Sequence, residues 1–311
     1  MKLYIYPTDL SWFEFLASQP GIDEVNFWRP GGQTVFGQLK PGELLLFRLK
    51  SPINKIAGGG FFLHASLFPL NSAWEAFGIK NGTSDFYSFF RKIASFKGFS
   101  RPEEMPRDSQ IGCIALMSPF FLPQNEWIDL PSDYPLNSIK GKSYSGEASP
   151  GRELFETISH LIQQPPHEVR EVPNLPSAVL FGEPTLIKRR IGQGGFRMIV
   201  TDLYERRCSV TGEATLPVLE AAHILPVSKG GVHSPDNGLL LRSDIHTLFD
   251  LGYVTIDKKH QFLVSKKLRD AWSNGRIYYD LHRSTVRLPK KAEMGPSPLF
   301  LERHNDEVFR A

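Results

Sequence analysis

The sequence predicts an α+β chain of two halves, and three observations carry that reading. Residues 1 to 150 alternate short apolar runs with Gly and Pro, interrupted by one stretch of helical spacing. A proline-rich stretch then loosens the pattern. Beyond it, an amphipathic helix is followed by a strand, a glycine turn, a second helix and a returning strand.

The elements follow in order. "GELLLFRL" (42–49), "AGGGFFLHASLF" (57–68) and "IGCIALMSPFFL" (111–122) are short and bounded by turn residues, which marks them as strands. Between the last two, "SAWEAFGIKNGTSDFYSFFRKIASF" repeats apolar residues every three or four positions and predicts one or two helices. The half contains no Gly-rich phosphate loop and no βαβ repeat, which leaves an α+β or small-barrel architecture. "GRELFETISHLI" (151–162) has helical spacing, and "QQPPHEVREVPNLPS" after it has linker composition. The expected division is therefore a first domain at 1–162, a linker at 163–180 and a second domain at 181–311. In the second half Phe196, Ile199, Val200, Leu203 and Tyr204 recur at helical spacing, with Gly212 as the closing residue. "LPVLEAAHIL" reads as a strand, "SKGGVHSPDNG" as a turn, "LLLRSDIHTLFDLG" as a helix and "YVTID" as the returning strand.

Composition narrows the classes. A 311-residue chain with 41% hydrophobic and 22% charged residues is globular and long enough for two cores. Net charge is only +3, but 186–207 concentrates Lys188, Arg189, Arg190, Arg197, Arg206 and Arg207 against Asp202 and Glu205. Such a segment suits a phosphate backbone, although charge runs commonly form solvated helix faces. Two distant cysteines, Cys113 and Cys208, exclude a disulfide framework and a four-cysteine zinc site. The opening residues lack the apolar core of a secretory signal, and no run reaches membrane-spanning length, so a reducing cytoplasm without a membrane partner is expected.

The chemistry concentrates in "AAHILPVSKGGVHSPDNGLLLRSDIHTLFDLG" (221–252), which holds three of the nine His of the chain: His223, His233 and His246. Asn237 stands 14 residues after His223, and His246 stands 9 after Asn237. Strand, glycine loop, Asn and His-bearing helix in this order resemble the HNH nuclease family with its ββα-metal fold. The string is most similar to the predicted restriction endonucleases of that family. The resemblance implies hydrolysis of DNA phosphodiester bonds with a divalent metal, Mg²⁺ or Mn²⁺ or another first-row ion. His223, at a strand end, is then the general base, because imidazole titrates in the right range. Asn237, counted with the catalytic residues, holds the loop or orients the His223 ring. His246 is implied as a metal ligand. His233 has no counterpart in the motif and reads as a turn residue.

One departure matters. Many HNH enzymes carry a metal-binding Asp or His immediately before the general base, and here Ala222 stands there. Asp250, four residues after His246 on one helical face, is the expected second ligand. Glu220, Asp236 and Asp244 are weaker candidates. Arg190, Gln193 and Arg197, ahead of the motif, are candidates for phosphate contact at a helix start.

The first half resembles the PUA/EVE-type barrels in its "KPGELLLFRLKSPINKIAGGGFF". That resemblance implies a reader of modified bases or RNA, and base flipping would use aromatic rings such as Trp12, Trp28 and Trp127. The expected fold is thus a PUA/EVE-like, β-barrel-type domain joined to a ββα-metal HNH domain. The pairing resembles modification-dependent restriction enzymes acting on double-stranded DNA with altered cytosine in defence against foreign DNA. Two alternatives stand beside it: an HNH nuclease of repair or homing type, and a nucleic-acid-binding protein with an inactive nuclease fold, which Ala222 would permit. The oligomeric state stays open, a homodimer included.

Overall fold

A computed structural model describes residues 1–31, 33–136, 140–163 and 191–311. The chain divides into two compact units, Met1–Arg189 and Arg190–Ala311. From residue 164 on, the expected linker lies outside the described residues, as does Arg190.

The first unit is organised by one sheet. Its strands are β1 (Lys2–Thr8), β2 (Glu24–Asn26), β3 (Leu44–Leu49), β4 (Lys55–Pro69), β5 (Gln110–Phe121), β6 (Ile128–Asp129) and β7 (Lys142–Ser145). The three runs expected as strands are β3, β4 and β5. The hydrogen-bonded order is β2-β5-β4-β3-β1-β7, with β6 on β4; β1 and β3 run parallel and the remaining pairs antiparallel. The α+β class holds, but the ladder does not close among the described residues, so the unit is an open sheet rather than a closed barrel. At Gly58 a Cβ would overlap the Phe120 carbonyl, which is why the Gly run sits where β4 crosses β5.

Helices pack on that sheet. They are α1 (Leu10–Ala17), α2 (Leu70–Phe77), α3 (Phe86–Phe96) and α4 (Gly151–Gln163). The helical stretch at 72–96 thus resolves into two helices, and Asp85 starts the second by accepting from the Ser88 amide at 2.8 Å. Phe47, Phe68 and Phe89 are at most 1% exposed and anchor the core.

The second unit is built from short pieces: α5 (Gln193–Leu203), β8 (Leu219–His223), β9 (Gly238–Arg242), α6 (Ser243–Asp250), β10 (Val254–Ile256), β11 (Phe262–Val264), α7 (Lys266–Trp272), α8 (Arg276–Tyr279) and α9 (Pro298–Glu307). Two antiparallel ribbons, β8–β9 and β10–β11, share a core with α5, α6 and α9. Phe196, Val200 and Tyr204 face that core, in keeping with the spacing of α5. The helix stops at Leu203 rather than running on to Gly212, because Glu205 and Arg206 take left-handed backbone, at φ 54° and 58°.

A second correction concerns Leu239 to Arg242. These residues, read as the start of a helix, form β9, in register with β8 from Leu219↔Arg242 to His223↔Gly238. Leu239, Leu240 and Leu241 are all buried, and a continuous apolar run carries no period that separates strand from helix. Among the described residues no helix is long and apolar enough to cross a membrane. Both cysteines are buried, and neither forms a disulfide.

Candidate active site

The site grows from the β8–β9 ribbon and the loop that joins its strands. His223 is the last residue of β8, and the chain then runs through Ile224 and Leu225 into the loop. Asn237 closes that loop. Its Oδ1 accepts from the Leu225 amide at 2.8 Å, and its Nδ2 donates to the carbonyls of Leu225 and Val232, each at 2.9 Å. The side chain is fully buried, and no bond from it to the His223 ring is present among the described residues. Of the two roles open in the sequence, holding the loop and orienting the ring directly, its side-chain bonds fit the first. Gly230 and Gly231 make the loop tight: the first takes φ 88°, and a Cβ on the second would overlap the Leu225 carbonyl oxygen.

That closure brings two imidazoles together. His223 Nε2 lies 2.9 Å from His233 Nδ1. Phe196 of α5 stacks on the His223 ring, with centroids 4.1 Å apart and an interplanar angle of 11°. Burial first, and then the facing His233 and His246, push the His223 pKa down to about 4, so the ring is neutral at neutral pH. The sequence assigned His233 no role because loop closure, rather than motif spacing, delivers it.

β9 leads directly into α6, which presents the second cluster. His246 Nδ1 lies 2.6 Å from Glu220 Oε2, and its Nε2 lies 3.4 Å from Asp250 Oδ2. The i, i+4 spacing therefore does set His246 beside Asp250, and Glu220 joins them from β8. A carboxylate only accepts, so the shared proton sits on His246 Nδ1, and Nε2 is the ring nitrogen on the Asp250 side. Burial is the largest influence on Asp250 and raises its pKa; His246 pulls it down and Glu220 pushes it up.

The weaker ligand candidates are otherwise engaged. Asp244 takes a two-point bond from Arg242, at 2.6 and 2.8 Å, and the Tyr278 hydroxyl at 3.0 Å. Asp236 accepts from the Ser234 hydroxyl. Ala222 is fully buried, so the position that carries a ligand in many HNH enzymes belongs here to the core. His304 of α9 supports α6 from beneath: it stacks on Phe249 at 3.7 Å, and its Nε2 bonds the Phe249 carbonyl at 3.1 Å.

Among the described residues no set of three or more His, Cys, Asp or Glu forms a ready cation cage. The mixed N/O pair of His246 and Asp250 does fit a cation that keeps water and takes phosphate oxygens as further ligands. Nε2 of His246 and Oδ2 of Asp250 lie 3.4 Å apart, so both would reach one such ion.

Gln193 opens α5 and is exposed, while Arg197 lies one turn on and is half-buried. Trp12 and Trp28 are core residues. The first packs edge-on against Phe27 and Phe47, and the second against Phe89 and Phe96. Trp127 is half-buried beside Phe13, with its Nε1 bonded to the Leu122 carbonyl. None of the three stacks on another.

Comparison with known proteins bears on the second unit. Residues 208–257 match the family described as HNH endonuclease, which covers the ribbon, the loop and α6. No curated protein matches the chain. Among solved structures, an ASCH protein from Zymomonas mobilis is similar over 51% of this chain and 94% of its own, at 9% identity and a TM-score of 0.35. A modification-dependent restriction endonuclease, TagI, is similar over 97% of this chain and 81% of its own, at 11% identity and a TM-score of 0.30.

Proposed function

From the HNH endonuclease family to which residues 208–257 belong, we propose that this chain is a metal-dependent DNA endonuclease whose first unit confines cutting to DNA carrying modified cytosine. One observation carries the nuclease chemistry: His223, neutral and stacked on Phe196, lies near the His246–Asp250 pair. His223 takes a proton from water as the water oxygen bonds to phosphorus. The P–O bond to the leaving sugar oxygen breaks with its electron pair on that oxygen, which then takes a proton from solvent. His246 Nε2 and Asp250 would hold the cation, and Glu220 behind His246 fixes the ring tautomer, as carboxylates do for metal-bound imidazoles. The bound cation supplies charge neutralisation on the phosphoryl oxygens.

Exposed Gln193 and half-buried Arg197 support phosphate contact at the start of α5. The modified-base reading of the first unit rests on its sequence resemblance and its wealth of rings. Of its three candidate tryptophans, Trp127 keeps the most accessible face.

Two measurements on the full chain test this. Cleavage of plain, methylated and hydroxymethylated plasmids with Mg²⁺ or Mn²⁺ is expected to favour modified DNA and to stop with chelator. His223→Ala is expected to lower the rate ~10²–10⁴-fold, and retention above roughly one tenth of wild type would remove the general base. The same variant, titrated at fixed salt with matched duplexes, reports reading alone. Equal affinity for all three would leave the nuclease and discard the modified-base reading.

A further inference from the structure

We propose that His233 is the positioning residue of the general base: its Nδ1 accepts the Nε2 proton of His223 and leaves the Nδ1 lone pair of His223 for the reacting water. This rests on the nuclease reading above, and it assigns a part to a histidine outside the family motif.

Geometry limits the alternatives. The His223 Nε2 is occupied by His233 at 2.9 Å, so Nδ1 is the nitrogen that can meet water. A base must be bare at that atom, which puts the ring proton on Nε2 and makes the His233 Nδ1 the acceptor. The reverse arrangement, with His233 donating, would leave His223 protonated on Nδ1 and unable to take a proton there. When His223 accepts a proton from water, its bond to His233 becomes charge-assisted and stabilises the imidazolium. A neutral imidazole orients the base in this way without adding a negative charge that would raise its pKa or draw the cation.

The fold holds this pair deliberately close. The Asn237 carboxamide ties Leu225 to Val232, two and one residues from the paired histidines. Phe196 covers one face of His223 and resists rotation of the ring. Asn237 therefore acts on the base through the loop that carries His233.

Two substitutions and one spectrum test it. Asn places its Oδ1 near the position of an imidazole Nδ1 and can accept the same proton. His233→Ala is expected to lower kcat about 10–100-fold with little change in KM, the range that outer-shell partners typically cost. His233→Asn is expected to recover most of that loss, which a residue that merely fills space would not show. Long-range ¹H–¹⁵N spectra of the full chain should show the Nε2–H form of His223 in wild type and His233→Asn, and a mixture of forms in His233→Ala. An Nδ1–H form in wild type, an unchanged kcat in His233→Ala, or His223→Ala active while His233→Ala is dead would each overturn the assignment. If wild type cut none of the plasmids, the nuclease reading would fall, while the spectra would still decide whether His233 sets the ring.

Discussion

The two units hold their backbones by different means. In the first, strands reach 15 residues and are fixed mainly by their neighbours through the ladder, with the buried Asn26–Asn81 pair as a polar tie, so most side chains fill volume. In the second, strands have three to five residues, and single polar side chains fix the chain between them. Asn237 ties three backbone groups, Asp257 accepts from the amides of Lys259 and Gln261, and His304 bridges Thr255 and Phe249. Long ladders therefore make apolar volume the sensitive quantity. Short ribbons make buried hydrogen bonds the sensitive quantity, and they also let a loop deliver chemistry.

Removing volume from the first unit should have the largest effect on stability. Phe47 is fully buried, lies parallel to Phe27 and meets the edge of Trp12. Phe47→Ala should cost about 3–5 kcal/mol in urea unfolding. A loss below about 1 kcal/mol would show that the sheet collapses around the gap and that the contrast is overdrawn.

In the second unit the corresponding break is polar. Asn237→Ala leaves the Leu225 amide and carbonyl without their partner, at about 1–3 kcal/mol for a buried group left unpaired, while the Val232 carbonyl keeps the Ser234 amide. Asn237→Asp keeps the size but sets a carboxylate oxygen against two carbonyls, and it should loosen the loop as well. Both should lose cleavage, and hydrogen exchange at residues 224–238 should rise. Unchanged exchange would mean that the glycine turn holds itself.

A pH dependence tests the buried polar contacts of the second unit in another way. The His304 Nε2–H must donate to the Phe249 carbonyl, so its Nδ1 accepts from the Thr255 hydroxyl and the ring is neutral. Burial, the largest influence, lowers its pKa from 6.5 to about 4. The unfolded chain thus takes up its proton first as pH falls. The stability conferred is full above about pH 6.5 and is lost toward pH 4, about 2 kcal/mol of it by pH 5. His223 adds in the same direction. His304→Gln keeps a donor to Phe249 without titrating, so its Tm should fall less steeply from pH 7 to 5. Equal slopes would assign the acid loss to other groups.

The candidate site was legible where chemistry depends on spacing along the chain. His223, Asn237, His246 and Asp250 were marked by residue type and separation, and the i, i+4 neighbours do meet on α6. Strands β3, β4 and β5 were visible because turn residues bound each apolar run. Leu239 to Arg242 was misread because an unbroken apolar run has no period, and its strand identity comes only from pairing with β8. Lys2–Thr8 likewise becomes a strand beside a parallel partner some forty residues away.

By itself, then, the sequence determined the α+β class, the motif order and the residues whose chemistry the motif names, because those depend on local period and on side-chain type. Only the tertiary structure decided that Glu220 backs His246, that Asp244 turns to Arg242, that Asn237 spans the loop and that His233 meets His223. Each of these is a side-chain contact across a turn or between strands. Such contacts are set by how buried groups find hydrogen-bond partners once the backbone closes, and no pattern along the chain encodes them.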